Sequence, residues 1–133
     1  MRGSCLCGQI EYEASQLDSP IRHCSCRTCR KAHSAAFNTS AAVAREHFKW
    51  LKGSESLKAF ESSPGKHRYF CGNCGSHLVA QRTGSETFIL RMASLDDNPG
   101  QTPEGHIWQS HEVPWLAYGP QVPAFPEWAP GHK

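Results

Sequence analysis

The chain has 133 residues, with 14 Lys and Arg against 12 Asp and Glu, for a formal charge of +2. That length holds one domain with a modest core, small enough to gain from a metal staple. Its charge balance gives no electrostatic footprint for DNA or RNA, and no apolar run approaches the ~20 residues of a membrane-spanning helix.

Read in chain order, the pattern is mostly β. Cys5-Leu6-Cys7-Gly8 is a tight turn, and Ile10, Tyr12 and Ala14 then alternate with Gln9, Glu11 and Glu13, the period of a half-buried strand. Cys26 to Ala32 forms a helical turn too short to stand alone. Phe37 to Ala44 reads as a strand, as do Phe48 to Leu51 and Leu57 to Phe60, placed around the turn Lys52-Gly53-Ser54. Ser63-Pro64-Gly65-Lys66 turns by composition into Arg68-Tyr69-Phe70. Ser76 to Gln81 and Thr87 to Ala93 suit a hairpin across Thr83-Gly84-Ser85. Prolines at 103, 114, 120, 123, 126 and 130 exclude long regular elements after Pro99. Trp108, Trp115 and Trp128 lie in that stretch. We expect residues 99–130 to wrap over the sheet, with only the last few residues free. The expectation is one domain over 1–133, with its core at about 3–125.

Seven cysteines fall in three clusters: Cys5 and Cys7; Cys24, Cys26 and Cys29; Cys71 and Cys74. Cys-X-X-Cys is the usual half-site of a tetrahedral zinc, and two half-sites make one closed site. Seven sulfurs divide most economically as four plus three. Four thiolates fill a structural site, whereas three leave a position open for water or substrate. Disulfides fit poorly, because seven is odd and Cys-X-Cys pairs cannot bridge each other without strain. Iron–sulfur spacings are not matched. Buried, unligated thiols are the ordinary role of a single cysteine, but not of seven in clusters. With seven thiols ionised and two divalent ions bound, the formal charge drops from +2 to −1. The opening Met1-Arg2-Gly3 has no apolar signal segment, so we expect a reducing, cytoplasmic setting.

Gly3-Ser4-Cys5-Leu6-Cys7-Gly8 with the Ile10/Tyr12 strand resembles the opening of the glutathione-dependent formaldehyde-activating enzyme family, the CENP-V/GFA domain. His23-Cys24-Ser25-Cys26-Arg27-Thr28-Cys29-Arg30-Lys31 resembles its second cluster, and Arg68 to Ser76 its third. Ser94-Leu95-Asp96-Asp97, His106-Ile107-Trp108 and Trp115 resemble its later landmarks, so the similarity spans roughly residues 3 to 125. The resemblance implies an all-β, Mss4-like (β-tent) fold of antiparallel sheets with short helical turns and two zinc sites. It implies that Cys5, Cys7, Cys71 and Cys74 hold a structural zinc and that Cys24, Cys26 and Cys29 hold a catalytic one. The implied reaction condenses glutathione with formaldehyde to S-hydroxymethylglutathione, and its reverse makes the class a carbon–sulfur lyase. Other small thiols and electrophiles are open as substrates. The family usually has Gly where His33 stands; a histidine there either closes the open coordination position or sits at the pocket rim.

Arg27, Arg30 and Lys31 are either a solvated cationic face or a means of offsetting thiolate charge and attracting glutathione carboxylates. Asp96 and Asp97 are either turn caps or a proton acceptor near the site. His77, and His106 with Trp108, are either pocket-lining or packed residues. A different class of reading is a non-catalytic protein-interaction module of the Mss4-like fold, with the second zinc closed by a fourth protein ligand.

Overall fold

Gly3 has no room for a side chain: a Cβ there would overlap the ring of Tyr12, which is fully buried. This contact seats the first strand against the second and begins the architecture. The computed structural model describes residues 1–117 and 119–131. Its strands are β1 (Arg2–Ser4), β2 (Glu11–Ala14), β3 (Arg22–Cys24), β4 (Asn38–Ala44), β5 (Phe48–Lys52), β6 (Leu57–Ser63), β7 (Lys66–Cys71), β8 (His77–Arg82), β9 (Thr87–Arg91) and β10 (Gly105–Ile107). A seven-residue helix, α1 (Arg27–His33), follows β3.

Two sheets result, one of three strands in the order β1-β2-β5 and one of seven in the order β10-β3-β4-β9-β8-β7-β6. The alternation read at Ile10, Tyr12 and Ala14 is borne out, since all three are fully buried. They pack against Val43, Leu78, Val79, Phe88 and Leu90 of the larger sheet, and Phe48 bridges the sheets by stacking on Tyr12 and meeting Phe88 edge-on. Truncating the buried Phe88 ring costs about 3–5 kcal/mol. The β8–β9 hairpin forms as expected. Leu78, Val79 and Ala80 are all buried, because β8 lies inside the larger sheet.

Three features go beyond the sequence reading or depart from it. Phe48–Lys52 and Leu57–Ser63 flank one turn but enter different sheets. Gly53, with φ +74° and Gln9 backbone where a Cβ would sit, lets the chain switch between them. The sheets are antiparallel except at one edge, where β10 pairs parallel with β3, a contact possible only after a long connection. The third departure is the segment from Pro99 onward. Val113 is buried, but Trp108, Trp115 and Trp128 are 55%, 70% and 66% exposed, so the tryptophans do not cover the sheet. Prolines after β10 disfavour the ladder hydrogen bonds that would hold the rest of the segment down. The expectation that the last residues are free falls on His132 and Lys133, outside the described residues.

Candidate metal centres

Cys5 and Cys7 lie on the turn between β1 and β2, Cys71 ends β7, and Cys74 lies on the turn that follows. Gly8 (φ +75°) closes the first turn as its N–H reaches the Cys5 carbonyl, and Gly75 (φ +81°) closes the second by the same bond to Cys71. Backbone N–H groups aim at the sulfurs: Ile10 donates to Cys5 Sγ at 3.3 Å and Asn73 to Cys71 Sγ at 3.4 Å. Leu6 N–H donates to Ser76 Oγ, which also meets Cys74 Sγ at 3.3 Å, so Ser76 ties the two turns together. All four sulfurs lie within 4.8 Å of one another. The Cys5–Cys7 and Cys7–Cys71 sulfur separations are 3.5 and 3.9 Å. A tetrahedral zinc with Zn–S bonds of about 2.3 Å needs about 3.8 Å, so this donor set fits that ion. The Ser76 hydroxyl holds the Cys74 thiol down to about 5, whereas burial raises Cys5.

Cys24, Cys26 and Cys29 form the second group, at the end of β3 and the start of α1, again within 4.8 Å of one another. Cys26 is the N-cap of α1, and its Sγ accepts the Cys29 N–H at 3.3 Å. Partial burial opposes ionisation of Cys26, but that N–H and the neighbouring thiols outweigh it and lower the group. Cys24 is pushed up to about 12, first by burial. Ser25, fully buried between them, shares a 2.6 Å hydrogen bond with His106 Nε2, while its N–H reaches the Ile107 carbonyl. Strand β10 therefore braces the cluster from behind. No His, Asp or Glu among the described residues joins the three sulfurs. His33 lies instead beside His77, ring centroids 4.7 Å apart, so it does not supply a fourth ligand here. All seven cysteines are free thiols.

The sequence reading missed a buried cationic wall. Arg68 on β7 and Arg91 on β9 are 3% and 5% exposed. Arg68 Nη2 lies 3.9 Å from Cys29 Sγ, and its Nε donates to Ser62 Oγ at 2.9 Å. Arg91 is lowered to about 10, by burial first and by Arg68 next, with the three thiols of the cluster opposing the shift. Lys66, which lines a cavity of about 350 Å³ with Cys24, Cys29 and Arg91, is lowered by burial and the same two arginines. Arginines rarely stay buried without anionic partners, and ionised sulfur is the anion at hand. One signal was present in the sequence: Phe88-Ile89-Leu90-Arg91-Met92 puts a charge inside an apolar run.

Arg27 and Lys31 line a cavity of about 440 Å³ together with Arg68 and His77. Arg30 turns away, its Nε donating to the Ser25 carbonyl. A cleft of about 460 Å³ opens beside the first cysteine group, lined among others by Cys5, His33, Asn38, His77, Arg91 and Asp96. Burial lowers both histidines, His33 to about 3, so both rings are neutral at pH 7. Asp96 accepts from Ser4 Oγ at 2.8 Å and Asp97 from the Arg2 N–H at 2.7 Å, which makes both of them clamps on β1. His106 supports Ser25, and Trp108 points outward.

A family model described as glutathione-dependent formaldehyde-activating enzyme matches residues 1–111. An uncharacterized lyase of Schizosaccharomyces pombe is 30% identical over 89 residues, which cover 66% of this chain. The match spans 63% of that relative, so the chain corresponds to less than two thirds of its length. The crystal structure of a Rhodobacter sphaeroides protein superposes with a TM-score of 0.63 at 27% identity, covering 77% of this chain and 98% of that one.

Proposed function

The chain belongs to the glutathione-dependent formaldehyde-activating enzyme family, and from that premise we propose that it is a zinc-dependent carbon–sulfur lyase. It joins glutathione, or a related small thiol, to formaldehyde or another small electrophile, and it cleaves the adduct in reverse. In the forward direction the sulfur–carbon bond forms and the thiol proton ends on the former carbonyl oxygen. The observation that carries this reading is a three-cysteine group with no fourth protein donor among the described residues, backed by buried Arg68 and Arg91. Cys5, Cys7, Cys71 and Cys74 would hold the structural zinc, and Cys24, Cys26 and Cys29 the catalytic one.

A zinc bound by three thiolates would accept the substrate sulfur as thiolate and polarise a carbonyl. The residues of the chain do the rest. Arg68, Arg91 and Lys66 offset the negative charge that gathers at the sulfurs. Arg27 and Lys31, at the mouth of the 440 Å³ cavity, attract the carboxylates of the thiol. His77 lines both cavities and has an unpartnered Nδ1, and burial keeps it from holding a proton, so in this reading it relays the thiol proton onward to solvent. A reducing, cytoplasmic setting belongs to the same proposal, because the chemistry needs seven unoxidised sulfurs.

The test compares glutathione with S-methylglutathione by calorimetry of the zinc-loaded protein in two buffers of different ionisation enthalpy. Glutathione should bind with release of a proton and weaken as salt rises, whereas S-methylglutathione, unable to ionise, should bind far more weakly. Equal binding of both without a proton would sink thiol activation.

A further inference from the structure

We propose that the side-on edge of the Arg91 guanidinium and the amide of Asn38 form a carboxylate subsite beside the three-cysteine group. This deepens the lyase reading above and rests on it for the identity of the neighbouring chemistry. Arg91 and Asn38 are 5% and 7% exposed, yet Arg91 Nε, Arg91 Nη2 and Asn38 Nδ2 have no hydrogen-bond partner. Buried donors left in this state are rare and costly, so three together mark a place where an acceptor belongs. All three atoms are donors. Nε and Nη2 are the two corners of one guanidinium edge, spaced to hold both oxygens of a carboxylate.

The sheet sets the juxtaposition. Arg91 on β9 pairs with Ser40 on β4, which places Asn38, two residues away, as its diagonal neighbour on the same face. Both residues line the 460 Å³ cleft and the 350 Å³ cavity, and the latter contains Cys24, Cys29 and Lys66. The charge balance points the same way. Three thiolates, one divalent ion and a substrate thiolate would sum to −2, against +3 from Lys66, Arg68 and Arg91. One further negative charge is needed for neutrality in a poorly solvated site. That carboxylate belongs either to the thiol or to an electrophile of the 2-oxo-acid type.

The experiment titrates the zinc-loaded protein with acetate and with acetamide, its neutral counterpart, following the Arg91 Nε–H signal by NMR. Acetate should move that signal and acetamide should not. Arg91→Lys keeps the charge but loses the fork, and Asn38→Asp fills the subsite with a carboxylate of its own at the same size. Each should weaken acetate at least about tenfold. If neither variant folds, the wild-type titration decides alone. An Arg91 signal indifferent to acetate, or folded variants that bind it as well as wild type, would overturn the proposal.

Crossing two thiols, glutathione and 2-mercaptoethanol, with two electrophiles, formaldehyde and glyoxylate, locates the source. Preference for glutathione with either electrophile assigns the carboxylate to the thiol. Preference for glyoxylate with either thiol assigns it to the electrophile. Either preference should vanish in Arg91→Lys or Asn38→Asp, and its survival there would overturn the subsite. The two readings fail separately. Turnover without acetate binding leaves the lyase standing, and acetate binding without turnover of any pair leaves the subsite standing.

Discussion

Arg68 reaches the sulfur of Cys29 with its Nη2, 3.9 Å away, from the middle of a strand 39 residues further along the chain. Its other hold is Ser62, through Nε at 2.9 Å, so the guanidinium spans from the sheet edge to the cluster. Groups that orient and neutralise metal ligands usually matter 10–100-fold for metal affinity or activity. Arg68→Met should therefore weaken the second zinc by about tenfold or more in a chelator competition, and turnover should fall with it. Arg68→Lys, which keeps the charge but not the fork, should fall between the two. Wild-type zinc affinity in folded Arg68→Met would remove Arg68 from the metal's environment.

Four thiolates chelate more tightly than three, so the two centres should empty in sequence. Metal analysis during mild chelator dialysis should show two zinc ions per chain, then a one-zinc species whose circular dichroism is unchanged. A single indivisible zinc per chain would contradict the four-plus-three grouping.

Cysteine variants should separate folding from chemistry. Cys71 is fully buried within the main core, and its centre joins the β1–β2 turn to the end of β7. A structural zinc in a small domain supplies on the order of 10 kcal/mol. Cys71→Ser should give insoluble or molten protein, and Cys26→Ser a folded but inactive one. Equal melting temperatures would show that the two centres share the structural load.

The Asp18–His47 pair should leave a mark on stability against pH. Asp18 is held down to about 2, first by the Ala44 N–H and then by His47, while hydrogen bonding to Asp18 raises His47. A depressed carboxyl contributes stability above its ordinary value near 4, and this is lost as pH falls through about 2. A raised histidine contributes fully below its ordinary value near 6.5, and this is lost as pH rises through the folded value. The gap in melting temperature between wild type and Asp18→Asn should thus be widest between about pH 4 and 6.5 and narrow on either side. In that variant the His47 titration, followed by NMR, should move down. A pH-independent gap would mean that the pair acts only through packing.

What was legible in the sequence was what a short window can encode. The knuckles could be read because Cys-X-X-Cys and its glycines fix a local turn, and β2 because alternation at Ile10, Tyr12 and Ala14 reports burial directly. Three-residue strands such as β1, β3 and β10 carry no period to read. The pairing of β10 with β3 depends on contacts some 80 residues apart, as between Ser25 and His106. Arg68 and Arg91 escaped because a lone arginine in a strand is ordinarily solvated. The tryptophans misled for the opposite reason, since aromatic content was taken for packing where the three rings stay more than half exposed.

The brace that β10 places behind Ser25 also dictates timing. On a ribosome, Cys24, Cys26 and Cys29 emerge early, but the strand that fixes the backbone between them lies at residues 105–107. Until that strand emerges, the edge of β3 beside the three thiols lacks its β10 partner. The second centre reaches its finished shape only after residues 105–107 have left the tunnel, some 80 residues behind its cysteines, so its sulfurs appear well before its geometry is complete, and a truncation before Gly105 would keep the cluster but remove the strand behind it.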